Sequence, residues 1–257
     1  MTTKSQPAPA YPRLTELPDP PPLPDGMKQR PHIARIDQVL RSHYRRQPHA
    51  LVSGEGYLCF EARDARNSPR PDCVVALDLP FPAQLIEEAN GYVISEVGQS
   101  PDFVLEVASP STGQHDYTSK RNIYARLDVQ EYWRFDPSGG QWHDAPLAGD
   151  ILENGVYRPL PVVEDADGLI RGYSPSLGLE LHSENRLLRF WDPAEREYLP
   201  DLIEALEALA AAEARAGQAE ARAEQAEARA EQAEEEVRRL RTELNRQQSP
   251  EQTPPTG

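Results

Sequence analysis

The sequence predicts an α/β fold in which strands alternate with amphipathic helices, followed by a separate C-terminal helix. Three observations carry this. Residues 101–137, PDFVLEVASPSTGQHDYTSKRNIYARLDVQEYWRFDP, read as a strand, a polar turn, an amphipathic helix and a second strand. Short apolar runs punctuated by proline and glycine lie on either side of that stretch. From residue 202 the chain becomes low in complexity and repeats every seven residues.

Residues 1–31 hold nine of the 26 prolines and few large apolar residues, so they read as a disordered or polyproline-like lead. Over residues 32–47, Ile33, Ile36, Val39, Leu40 and Tyr44 recur at helical spacing, with arginines on the outer face. Residues 50–52 and 57–60 read as strands around a hairpin-like turn, Ser53-Gly54-Glu55-Gly56. Residues 72–77 are a buried strand with Asp72 at its start, ended by Pro80 and Pro82. Residues 91–97 fit either a short strand or a loop.

In the central stretch, Phe103, Leu105 and Val107 take one face of a strand, while Asp102, Val104, Glu106 and Ala108 take the other. Pro110 and the hydroxyls of Ser109, Ser111 and Thr112 turn the chain, and Asp116 is placed to cap the next helix. On that helix Lys120, Tyr124 and Leu127 share a face, and Ile123 and Leu127 point to the core. Residues 131–135 form the second strand. Residues 141–200 read as an accessory β layer of short strands and turns, with His143 and His182 on its surface.

Composition removes several classes. No apolar run approaches the roughly 20 residues of a membrane span. The N-terminal residues MTTKSQPAPAYPRL lack the apolar core of a signal peptide. Cys59 and Cys73 lack zinc-site spacing and read as buried free thiols in a reducing cytoplasm. A net charge of −15 argues against non-specific coating of nucleic acid. Between Lys28 and Arg70, however, nine Lys or Arg face four Asp or Glu, a local excess of five positive charges. That segment fits either a polyanion or a solvated helix face.

Glu106 interrupts an apolar run, where burying a carboxylate is costly unless a cation or a proton offsets it. Asp102 lies four residues away, roughly 13 Å along a strand, too far to share one small ion. Asp72 stands on another strand, and neighbouring strands run ~4.8 Å apart, so Asp72 and Glu106 are able to converge. Two carboxylates beside the Lys120 ammonium suit Mg²⁺ or Mn²⁺, which would hold phosphate and acidify a water. Spacing alone leaves a second account open, in which Asp72 caps a strand, Glu106 meets an arginine and Lys120 is solvated.

PDFVLEVASPST, Lys120, Tyr124-Ala125-Arg126, Glu131-Tyr132-Trp133 and Arg70-Pro71-Asp72 together resemble the signature of the Uma-two family, restriction-endonuclease-like proteins of the PD-(D/E)xK superfamily. The resemblance covers about residues 32–200. It implies a restriction-endonuclease-like mixed sheet between helices and Mg²⁺-dependent endonuclease cleavage of phosphodiester bonds, in DNA above all. It implies Asp72 and Glu106 as metal ligands, with the Val107 carbonyl as a third. The superfamily pattern wants a lysine two residues after Glu106, where this chain has Ala108, so Lys120 from the following helix takes that role. Asp128 replaces a glycine usual after that helix, which bears on local geometry. A nuclease fold can also serve as a non-catalytic dimerisation or nucleic-acid-binding module, and that alternative stays open.

Residues 201–247 form the period-seven segment, and 248–257 a polar tail. With Leu202 at position a, the a residues are Leu202, Leu209, Ala216, Ala223, Ala230, Val237 and Leu244. Alanine fills d from Ala205 to Ala233, and Leu240 follows. A parallel in-register pair would set Arg215 against Glu220, Arg222 against Glu227, Arg229 against Glu234 and Glu236 against Arg241. The sequence therefore points to a coiled-coil homodimer, with a lone solvated helix as its rival.

Overall fold

The computed structural model describes residues 11–21, 28–110 and 119–248. The chain divides between Asp201 and Leu202 into two units.

The first unit is built on a six-stranded mixed sheet in the order β1-β3-β5-β6-β7-β8. These strands are β1 (Leu51–Ser53), β3 (Cys73–Ala76), β5 (Phe103–Val107), β6 (Glu131–Phe135), β7 (Leu147–Glu153) and β8 (Val156–Pro159). β5 and β6 run parallel, joined through helix α4 (Arg121–Arg126), whereas β3 and β7 are antiparallel to their neighbours. β5 and β6 are buried along their whole length. That explains why FVLEV and EYWRF are almost continuously apolar or aromatic: both faces of a central strand are covered.

One face of the sheet packs on helix α1 (Arg30–Tyr44) and on a second, five-stranded antiparallel sheet. That sheet runs from β9 (Val162–Glu164) through β10 (Ile170–Ser174), β11 (Leu179–Glu184) and β12 (Leu187–Asp192) to β13 (Glu197–Tyr198). Phe103, Leu105, Val107, Trp133 and Phe135 supply this core from the first sheet, as strand alternation requires. The opposite face, with Val104 and Tyr132, is covered by α2 (Gln84–Glu88), α3 (Ile94–Val97), α4 and a small parallel pair, β2 (Tyr57–Cys59) with β4 (Gly91–Val93).

Trp133 joins the two sheets. Its indole lies so close to Gly149 of β7 and Gly172 of β10 that a Cβ built on either would sit 2.8 Å from the ring. Its Nε1 donates to Glu131 (2.8 Å), and the same buried carboxylate accepts from Ser174 Oγ (2.6 Å) and Ser176 N (2.5 Å). An acid at a fully buried position is thereby saturated by three donors from two sheets.

Several expectations need correction. Residues 50–60 are not a hairpin: β1 joins the six-stranded sheet beside β3, while β2 pairs with β4. The turn between them is drawn off by Glu55 N donating to Pro71 O (2.8 Å) and Leu58 N to Pro69 O (3.0 Å). The accessory layer begins later than residue 141, because β7 and β8 extend the first sheet. Residues 91–97 are strand β4 followed by α3. Part of the proline-rich lead is tied to the fold: Leu17 is buried, its N–H donates to Ala89 O, and Arg70 reaches Pro21 O. His143 and His182 are buried, His182 between Glu180 and the Tyr198 hydroxyl. Tyr124, with Ile123 only half-buried, is the fully buried residue of α4. Asp128 does take a left-handed conformation, φ 52°, where α4 ends. Ser111, Thr112 and Asp116 lie outside the described residues.

The second unit is one helix, α5 (Leu202–Gln248). No helix among the described residues is long and apolar enough to cross a membrane.

If the Trp133 cradle sets the distance between the sheets, Gly172→Ala will lower unfolding free energy by about 1–3 kcal/mol, the usual cost of overpacking. Gly217→Ala, on the open surface of α5, will leave the first unit's melting unchanged. Denaturant unfolding followed by tryptophan fluorescence measures both.

Candidate active site

Asp72 lies immediately before β3 and Glu106 near the end of β5. These strands pair with Cys73 opposite Leu105 and Val74 opposite Val104. Continued by one residue, the same register sets Asp72 opposite Glu106. Directly opposed residues share a sheet face. Both are nearly excluded from solvent, at 5% and 1% exposure.

Asp72 is fixed from three sides. Its Oδ2 accepts the Val107 N–H (2.8 Å) and the Gln29 side-chain amide (3.1 Å). Behind it the Ser53–Gly56 turn presses close: a Cβ on Gly54 would lie 2.3 Å from the Asp72 carbonyl oxygen, so only glycine fits. The same Gln29 Nε2 also donates to the Val107 carbonyl (2.6 Å). One amide nitrogen thus lies within hydrogen-bond reach of two oxygens, Asp72 Oδ2 and Val107 O.

Glu106 is held from α4. The Lys120 ammonium, at the start of that helix, lies 2.8 Å from Oε2. One turn later the Tyr124 hydroxyl donates to Oε1. Complete burial, and next the charge of Glu106, raise the Tyr124 pKa well above that of a free phenol, so its hydroxyl stays a donor. Lys120 keeps about a quarter of its side chain in solvent. It therefore stands at the boundary between the buried acid and water.

Next to Glu106 on β6, in register, is Arg134. Arg134 turns the other way: its Nη1 lies 2.7 Å from Asp150 Oδ2. Arg121 of α4 reaches the same carboxylate with Nη2 (2.8 Å) and Nε (3.1 Å). Burial alone would raise the Asp150 pKa, but the two guanidiniums outweigh it and hold the acid below its ordinary value. That ion cluster separates the two acids by role. Asp150 is held by two guanidiniums, one of them buried, whereas Glu106 meets the partly solvated Lys120 ammonium.

Of the residues that the sequence singles out, Asp72, Glu106, Val107 and Lys120 come together here. Glu106 meets a lysine rather than an arginine. Gln29 was missed, because it sits in a proline-rich stretch without periodicity. Its one signal is its position just before the amphipathic helix.

No group of three acidic, histidine or cysteine side chains suited to a metal occurs among the described residues. Two carboxylates and a carbonyl nevertheless make an all-oxygen donor set, which suits a hard cation that keeps several waters. The Gln29 nitrogen already bridges two of those oxygens, so a small cation in its place would meet the same pair. The residues fit such an ion.

A family model described as "Uma2: Putative restriction endonuclease" matches residues 16–182. A solved structure from Anabaena variabilis, titled "a putative nuclease belonging to DUF820", is 20% identical over 57% of this chain and 75% of its own, with a TM-score of 0.38. A comparison with curated proteins returns no match. With the match covering well over half of its length, this chain belongs to the Uma2 family of restriction-endonuclease-like proteins.

Proposed function

We propose that the chain is a divalent-metal-dependent endonuclease that hydrolyses phosphodiester bonds, with DNA as its substrate. The observation that carries this reading is the Lys120 ammonium, 2.8 Å from the buried Glu106 on the strand next to Asp72. A purely structural site could replace an acid–lysine pair by apolar residues at no loss of stability. Acids set beside a cation at the water boundary are instead what charge-stabilising chemistry requires.

Asp72, Glu106 and the Val107 carbonyl would hold Mg²⁺ or Mn²⁺. When bound, that ion would supply Lewis-acid polarisation of the phosphate and a water of lowered pKa. The protein's own groups do the rest. Tyr124 fixes one oxygen of Glu106, leaving the other for Lys120. Lys120 places a positive charge where negative charge grows on the phosphate oxygens, an interaction strongest in the transition state. The Val107 N–H keeps Asp72 turned toward the end of β5. The Gln29 amide, which donates to Asp72 Oδ2 and the Val107 carbonyl, would release those oxygens to a bound cation. The two buried free cysteines support a reducing, cytoplasmic setting.

Calorimetric titration with Mn²⁺ tests the assignment. Asp72→Asn and Glu106→Gln should each weaken binding about tenfold or more, about 1.4 kcal/mol, because each removes an anionic ligand. Lys120→Ala should bind the ion as the wild type does, yet lose about 10²–10³ in turnover. Unchanged metal affinity in both acid variants would sink the reading.

The reading extends to a parallel homodimer through α5. In the single chain the a and d residues Leu202, Leu209, Val237, Leu240 and Leu244 are 52%, 55%, 47%, 57% and 54% exposed, so the seam has no partner among the described residues. A second copy offers opposite charge at all four flanking pairs, whereas an antiparallel copy would set arginine against arginine. Alanine through the middle layers buries little area, so charge chooses orientation more than it adds affinity. Ala219→Cys, at a d layer, should cross-link to its twin under mild oxidation. Cross-linking only to a cysteine near the far end of the helix would show the orientation to be wrong.

A further inference from the structure

The sequence offers nine basic residues between Lys28 and Arg70, and the structure divides them. Most are occupied. Arg35 pairs with Asp201 (2.9 Å), Arg41 with both Asp37 and Glu87, and Arg63 with Glu61 (3.0 Å). Arg70 donates to the Pro21 carbonyl and Arg45 to the Ser42 hydroxyl, which fixes both guanidiniums without cancelling their charge. A cation already neutralised by an adjacent carboxylate attracts phosphate weakly.

Lys28 and Arg30 differ. Both are exposed, and neither makes an ion pair or hydrogen bond among the described residues. They flank Gln29, whose buried amide is anchored on Asp72 and Val107. The Gln29 backbone is held independently of that amide, its carbonyl accepting the N–H groups of His32 (3.0 Å) and Ile33 (3.2 Å), so its two neighbours stay beside the candidate site when a cation takes the amide's place. Arg30 also lines a cavity of about 290 Å³ together with Gly54, Glu55 and Asp72. That volume is near the small end of ligand-sized pockets, roughly 300–1,000 Å³. Asp37 and Arg41, paired with each other, and Glu55 line it too, so Arg30 is the cation of that lining that no carboxylate holds among the described residues.

We propose that Lys28 and Arg30 form a clamp for the nucleic-acid backbone, holding the phosphates on either side of the one cut at Asp72 and Glu106. The proposal rests on the nuclease reading and deepens it. In a chain of net charge −15, long-range attraction cannot gather a polyanion. Binding must come from the few cations that are both unpaired and beside the site. Arg46 is exposed but lies sixteen residues beyond Arg30, roughly 24 Å along a helix. It serves as the control.

The test is fluorescence anisotropy of a labelled DNA duplex in Ca²⁺, titrated across about 50–200 mM salt, with Lys28→Ala, Arg30→Ala, the double variant and Arg46→Ala. Each phosphate contact contributes about 0.9 to the slope of log affinity against log salt. Lys28→Ala and Arg30→Ala should each lower the slope by about one and the double variant by about two, while Arg46→Ala leaves it unchanged. Mn²⁺ affinity of the double variant should match the wild type, which separates the clamp from the metal site. If Lys28→Ala and Arg30→Ala keep the wild-type slope, or Arg46→Ala lowers it equally, the clamp is overturned and the nuclease reading stands. A wild type that binds no DNA at any salt concentration overturns both.

Discussion

The placement of one buried carboxylate governs much of this molecule. Glu106 stands in a central strand with 1% of its surface exposed. A charge so placed is tolerated only where cations and donors meet it. Both come from α4, Lys120 to one oxygen and Tyr124 to the other. The crossover between the two parallel strands must therefore lie over the end of β5, on the face opposite α1. Helix, sheet order and candidate chemistry follow from that requirement together.

Two other buried acids of the first unit show what a structural solution looks like. Glu131 is surrounded by Trp133 Nε1, Ser174 Oγ and Ser176 N, all uncharged donors that tie one sheet to the other. Asp150 is enclosed by two guanidiniums. One of these two cations, Arg134, is itself buried. Glu106 and Asp72 are held by groups able to yield: an ammonium on a partly solvated stem and an amide that bridges two oxygens. On the proposed reading, local chemistry separates the acids that hold the fold from the acids assigned to the reaction.

Much of this was legible in the sequence where periodicity is strong. FVLEV, EYWRF and the helix through Ile33, Ile36, Val39 and Leu40 came out as read, because alternation and helical spacing report burial directly. Lys120 and Tyr124 sharing a face was also readable, since four-residue spacing fixes it. Pairing was not. Nothing local tells that β1 leaves β2 for β3, because hydrogen bonds to Pro69 and Pro71, distant in sequence, decide it. Gln29 was invisible for the same reason: its role is a contact 43 residues away with Asp72 and 78 away with Val107. His182 reads as a surface residue because it shows no metal-ligand spacing with its neighbours. In the fold Tyr198 and Trp191 cover it.

The central claim is that Asp72 and Glu106 act together on a phosphodiester. Incubation of supercoiled plasmid with wild type and Asp72→Ala, in Mg²⁺ and separately in Mn²⁺, addresses it most directly. The account predicts metal-dependent nicking or linearisation by the wild type, with a loss of about 10² or more in rate for the variant. Wild-type protein that leaves plasmid intact in both metals, or a variant that cleaves as fast as the wild type, would contradict it.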